Sequence, residues 1–159
     1  MDIELENLKN EASVLRGVFI DRIIYLERTI DKFLSKHFCK TNELQDELME
    51  LVFASENSGF EKKRNLLGII LKRHYIDIFT DSKVFFSKLK SIQTHRNIFA
   101  HCMLDFRQDS VVEFTKTNTI NFIKYYEKTQ TKPYSEKLTK VIFEDLKYCV
   151  EFVQKLHRL

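Results

Sequence analysis

Apolar residues recur three and four positions apart along the opening of the chain, where Leu5, Leu8, Ala12, Leu15, Phe19, Ile23, Leu26, Ile30 and Phe33 form one line. That spacing places them on one helical face, which predicts a single long helix from about residue 2 to residue 38. Leu44, Leu48, Leu51 and Val52 trace a short second helix, entered through Asn42 and Gln45 and ending near Ser55. After a polar turn, Phe60, Leu67, Ile70 and Leu71 define a third. Lys62, Lys63, Arg64, Lys72 and Arg73 occupy its other sides, as expected of a solvated back that could also face RNA. Asp81 or Ser82 caps a fourth helix whose apolar positions run through Phe85, Leu89, Ile92, Phe99 and Met103.

The pattern then changes. Residues 111–115 and 120–126 are rich in β-branched and aromatic side chains and are joined across 116–119, which predicts a small β-hairpin. Ser135, just after Pro133, caps a last helix through Leu138, Val141, Ile142, Cys149, Phe152, Val153 and Leu156. With no repeat or linker in view, residues 1–159 read as a single domain. The expected architecture is a mainly α, four- to five-helix bundle with a hairpin insertion over about 104–134, before the last helix.

Composition agrees with this picture. Three glycines and one proline leave little for turns, while 43% hydrophobic and 31% charged residues suit amphipathic helices. A chain of 159 residues can build one core without metal or disulfide staples. A net charge of +3 excludes a polycation that would bind nucleic acid through bulk charge, although a local basic site remains open. Cys39, Cys102 and Cys149 are odd in number and widely spaced, so they read as reduced thiols. Neither they nor His37, His74, His95 and His157 have metal-ligand spacing, and no metal or cofactor is expected. The acidic N-terminus lacks the form of a signal peptide, and no apolar run reaches membrane-spanning length. A cytoplasmic protein without a membrane partner is the expectation.

Chemistry concentrates in Arg96-Asn97-Ile98-Phe99-Ala100-His101, in the last two turns of the fourth helix. Stepping about 100° per residue puts Arg96 at the edge of the apolar stripe. Asn97 and His101, four apart, share a polar flank that continues back through Gln93 and Lys90, which become candidate substrate contacts. Arginine is a permanent cation with forked donors, and histidine exchanges protons near neutral pH, its unperturbed pKa being about 6.5. RNA supplies its own nucleophile, the 2′-hydroxyl, so a proton acceptor, a proton donor and a cation on the phosphate suffice for cleavage without a metal. One histidine cannot serve as base and acid at once, which calls for two copies of the motif meeting in a homodimer. Tyr125, Tyr126 and Tyr134 are candidates either to stack on bases or to seal the hairpin onto the bundle.

The segment from Arg96 to His101 resembles the R-x(4-6)-H signature of the HEPN superfamily (higher eukaryotes and prokaryotes nucleotide-binding), with Asn97 as the polar residue after the arginine. The long first helix, the signature late in a central helix and the closing helix are similar to that family's layout. The resemblance implies a dimeric helical bundle and metal-independent RNA cleavage in toxin, phage-defence or RNA-processing settings. It implies Arg96 and His101 as the catalytic pair, Asn97 as support, and an antitoxin or neighbouring effector as a possible partner. Met103 stands where the branch regulated by nucleotidyltransferase antitoxins often carries tyrosine, which sets this chain apart from that branch. The rival expectations are a non-catalytic module of the same fold that binds a nucleotide, RNA or protein, and a structural adaptor with a buried, internally paired Arg96.

Overall fold

The computed structural model describes residues 2–55, 58–125 and 129–158. Helix α1 spans Asp2–Phe38, as its unbroken apolar line requires. Helix α2, Asn42–Leu48, begins one residue earlier than read: Thr41 is the cap, its hydroxyl accepting from Leu44 N at 3.4 Å. It continues into a π-helical turn, Met49–Phe53, that buries only Phe53. Leu44, Leu51 and Val52 of the predicted apolar line are exposed. Helix α3 is Phe60–His74, followed by a short α4, Ile76–Asp81, and by α5, Lys83–His101. No helix among the described residues is long and apolar enough to cross a membrane.

The segment before the last helix differs from the predicted hairpin. Strand β1, Met103–Leu104, leads to helix α6, Gln108–Thr117, and then to strands β2, Ile120–Lys124, and β3, Gln130–Tyr134. Residues 111–115 are therefore helical. The inward positions of α6, Ser110, Val111 and the half-buried Phe114, are spaced for a helix, and that periodicity prevails over the β-branched composition. Asn118 ends α6 in the left-handed region (φ 54°), where asparagine is tolerated. The hairpin lies further on, pairing Ile120 with Tyr134 and Lys124 with Gln130. The sheet is antiparallel in the order β1-β2-β3, so Pro133 sits on an edge strand. Met103 belongs to β1 and is exposed, not to the apolar line of α5. Tyr126 lies outside the described residues. Helix α7, Glu136–Leu156, is capped by Ser135 Oγ accepting from Leu138 N at 3.3 Å.

The chain groups into two compact units, and α1, α5 and α7 contribute residues to both. Unit 1 comprises residues up to 22 and 94–144. Its core joins Leu8, Ala12 and Phe19 of α1 to Phe99, Val111, Ile120, Phe122 and Tyr134. Unit 2 comprises residues 23–93 and those from 145 onward. There Ile30, Leu34, Leu67, Leu71, Leu89 and Leu146 are buried, and Phe85 stacks on Phe152 with centroids 4.0 Å apart.

Candidate functional site

Phe99 fixes which way the end of α5 faces. Its buried ring packs against Phe19 and Tyr134, each with centroids 4.6 Å away, and against Phe122 at 5.2 Å. Large aromatic surface of this kind is the main apolar contribution a single side chain can make, so it decides the rotation of the helix. With Phe99 inward, Asn97, Ala100 and His101 are exposed and Arg96 is half-buried. Arg96 lies at the edge of the apolar stripe, and Asn97 and His101 are on open surface. Arg96 Nη1 donates to Asn97 Oδ1 at 3.4 Å, a weak contact. Among the described residues Arg96 has no carboxylate partner, and the His101 imidazole has no hydrogen-bond partner.

A residue that sequence reasoning passed over holds the turn behind His101. Arg16 of α1 donates from Nη2 to the carbonyl of Cys102, the residue next to His101, and its guanidinium carbon lies 4.5 Å from the centre of the Phe122 ring. The last carbonyls of a helix have no partners within it, so a donor from elsewhere fixes the geometry of the exit. Arg16 Nε is buried without a partner, and burial lowers the affinity of this guanidinium for its proton. Arg16 and Cys102 are 86 positions apart, and no periodicity links them.

The exit is fastened again at Asp105. Its carboxylate is fully buried and is gripped by Arg107, Nε to Oδ1 at 2.9 Å and Nη2 to Oδ2 at 2.7 Å. Arg107 N also donates to Oδ1 at 3.1 Å, and Asp105 N donates to Asn121 O at 2.8 Å. Hydrogen bonding from Arg107, above all, holds the Asp105 carboxyl below the usual carboxylate range.

The other candidates separate. Lys90 and Gln93 belong to unit 2, and Gln93 Oε1 accepts from Arg64 Nη1 at 2.6 Å, a bond that occupies its carbonyl oxygen. Lys90 is exposed. His95, expected on the outer flank, is half-buried, with Nδ1 2.9 Å from Tyr134 Oη. Tyr134 is buried at the sheet edge of the core, which makes it a packing residue. Lys63, expected on a solvated back, is buried, with Nζ 2.7 Å from Glu27 and 2.9 Å from Asp31. A long stem carried inward by α3 is tolerated there because two carboxylates meet the ammonium. All three cysteines are free, Cys102 and Cys149 buried and Cys39 half-buried. Among the described residues no group of three or more His, Cys, Asp or Glu could hold a metal ion.

The site therefore consists of a guanidinium without a carboxylate, a solvent-facing amide and an unbonded imidazole, on the last turns of a helix whose exit is clamped by Arg16 and Asp105. Such a set can hold an anion and move a proton. No protein-family model, curated protein or solved structure matches the chain.

Proposed function

We propose that this chain is an endoribonuclease of the HEPN type that cleaves RNA without a metal at a site shared by two copies. Arg96 holds a non-bridging phosphate oxygen through its forked donors, and Asn97 supports it. One imidazole takes the 2′-hydroxyl proton as that oxygen attacks phosphorus, and its counterpart protonates the departing 5′-oxygen. The products are a 2′,3′-cyclic phosphate and a 5′-hydroxyl.

The supporting observation is that folding leaves Arg96 and His101 unused. A structural adaptor would pair and bury Arg96, and Arg96 is neither fully buried nor matched with a carboxylate. The toxin or defence setting, and an antitoxin or effector partner, rest on the resemblance of the signature.

The test is incubation of wild type and His101→Ala with structured and unstructured RNAs in excess chelator, followed by analysis of the new 3′ ends. Cyclic phosphate ends from wild type alone support the reading. RNA left intact by both, with affinity that declines as salt rises, would replace it with the non-catalytic binding module.

A further inference from the structure

Helix α1 carries Arg28, Lys32 and Lys36 within unit 2, four residues apart and all exposed. That spacing sets neighbouring cations on one face, about 6 Å apart along the axis. Together they form one wall of a groove of about 650 Å³, with Asn42, Gln45 and Gln154 among the lining side chains from α2 and α7. No lining residue is a carboxylate. Arg28, Lys32 and Lys36 form no ion pair among the described residues, so none of the three cations is neutralised by a carboxylate contact.

The groove is also fastened by its own hydrogen bonds. Lys36 Nζ donates to His157 O at 2.9 Å, and Gln154 Nε2 donates to Tyr25 Oη at 3.2 Å, holding a ring that is 55% exposed. His157 Nε2 lies 3.0 Å from Thr29 O. Burial, with Lys32 and Lys36 nearby, keeps His157 below the usual imidazole range, so at neutral pH it donates to Thr29 without adding charge. Apart from Tyr25, the half-buried Met49 is the sole apolar side chain in the lining. A lipid surface is met by apolar residues that insert, whereas a strand of nucleic acid is met by a positive groove with an aromatic face and amide groups.

We propose that this groove binds the phosphodiester backbone of single-stranded RNA, with Arg28, Lys32 and Lys36 each meeting a phosphate and Tyr25 offering its ring to a base. The groove lies in unit 2, whereas Arg96 and His101 lie in unit 1, and it requires no cleavage. Its chemistry suits any base, because phosphates and ring faces are common to all four.

The test uses the full chain carrying His101→Ala and a short fluorescein-labelled oligouridylate, with binding read by anisotropy over a salt series. Three phosphates neutralised on a single strand give a log–log salt slope of about −2, and Arg28→Gln with Lys32→Gln brings it to about −0.7. That double variant binds about tenfold more weakly at low salt, and Tyr25→Ser weakens binding by a similar factor. Lys83→Gln with Lys140→Gln, which removes the same charge from other exposed positions, leaves affinity within about twofold. Lys32→Arg retains wild-type binding. Equal losses in the two double variants, no binding of the oligonucleotide, or binding to anionic phosphatidylserine vesicles in its place would each overturn the proposal. Intact RNA in the cleavage assay would not affect it.

Discussion

An exposed side chain with no partner contributes little to stability, typically within about 0.5 kcal/mol. His101 and Asn97 are of this kind, so their replacement separates function from folding. His101→Ala is expected to lower cleavage about a hundredfold or more while leaving the melting temperature unchanged. Arg96→Lys should fail almost as badly, because an ammonium keeps the charge but not the planar fork. Single-turnover rates beside thermal melts check both. A different residue reports pH. Asp31 and Glu27 share the single ammonium of buried Lys63, and Asp31 Oδ1 has no hydrogen-bond partner, so with both acids ionised the second charge is offset only by the weaker, longer-range pull of Arg28. Burial, against the opposing pull of Lys63, raises the Asp31 carboxyl from 3.8 to about 6. The folded state then holds a proton that the unfolded state releases, so stability present below about pH 4 is lost as pH rises through 6, by about 3 kcal/mol at most. His37 and His157, both lowered chiefly by burial, act oppositely, losing stability as pH falls below the ordinary imidazole value. The measurement is therefore a difference: urea unfolding of wild type and Asp31→Asn at several pH values, the gap between them widening in favour of the variant from pH 4 to 7. A constant gap would contradict the assignment.

At the scale of elements, the end of α5 depends on a donor from α1. Arg16→Ala removes a charged hydrogen bond to Cys102 O and a cation over Phe122, and is expected to cost about 2 kcal/mol. Arg16→Met, keeping the stem but not the donor, should recover part of that stability and none of the lost cleavage if the guanidinium positions the His101 turn. Calorimetry together with rates on both variants distinguishes packing from positioning. Asn118 offers a second measurement: with φ at 54°, Asn118→Gly should be neutral or slightly stabilising, and Asn118→Val should destabilise by about 1–2 kcal/mol in chemical unfolding. These two positions also show where the sequence is readable. Helices α1, α3, α5 and α7 announce themselves because each buries one stripe, and the stripe is local. Residues 111–115 mislead because Val111, Val112 and Thr115 suit a strand by composition, whereas the positions that turn inward where α6 meets β2, Val111 and the half-buried Phe114, are three apart as in a helix. The Arg96, Asn97 and His101 cluster is legible for the same local reason as the helices. Arg16 and the Lys63 cluster are not, since each is made by contacts between distant segments. Gln93 looked available on the helix surface until α3 brought Arg64 to it.

For the molecule as a whole, the decisive quantity is how many chains make one site. Each chain carries a single free imidazole at the motif, because His95 is engaged with Tyr134. Transesterification needs a base and an acid in the same turnover, so a lone chain would have to move one proton between two oxygens on a single ring. A net charge of +3 does not oppose self-association strongly. If two motifs face each other across a two-fold axis, a dimer of one wild-type and one His101→Ala chain lacks either the base or the acid. Equal amounts of the two proteins, allowed to exchange subunits, then leave only the pure wild-type dimers active, about a quarter of all dimers by random pairing. Chains that act alone leave about half the rate. Cleavage measured across mixing ratios, with mass by light scattering at each concentration, follows the square of the wild-type fraction in the first case and the fraction itself in the second. A linear dependence in a sample shown to be dimeric would confine the chemistry to one chain and would require a second proton carrier from elsewhere in it.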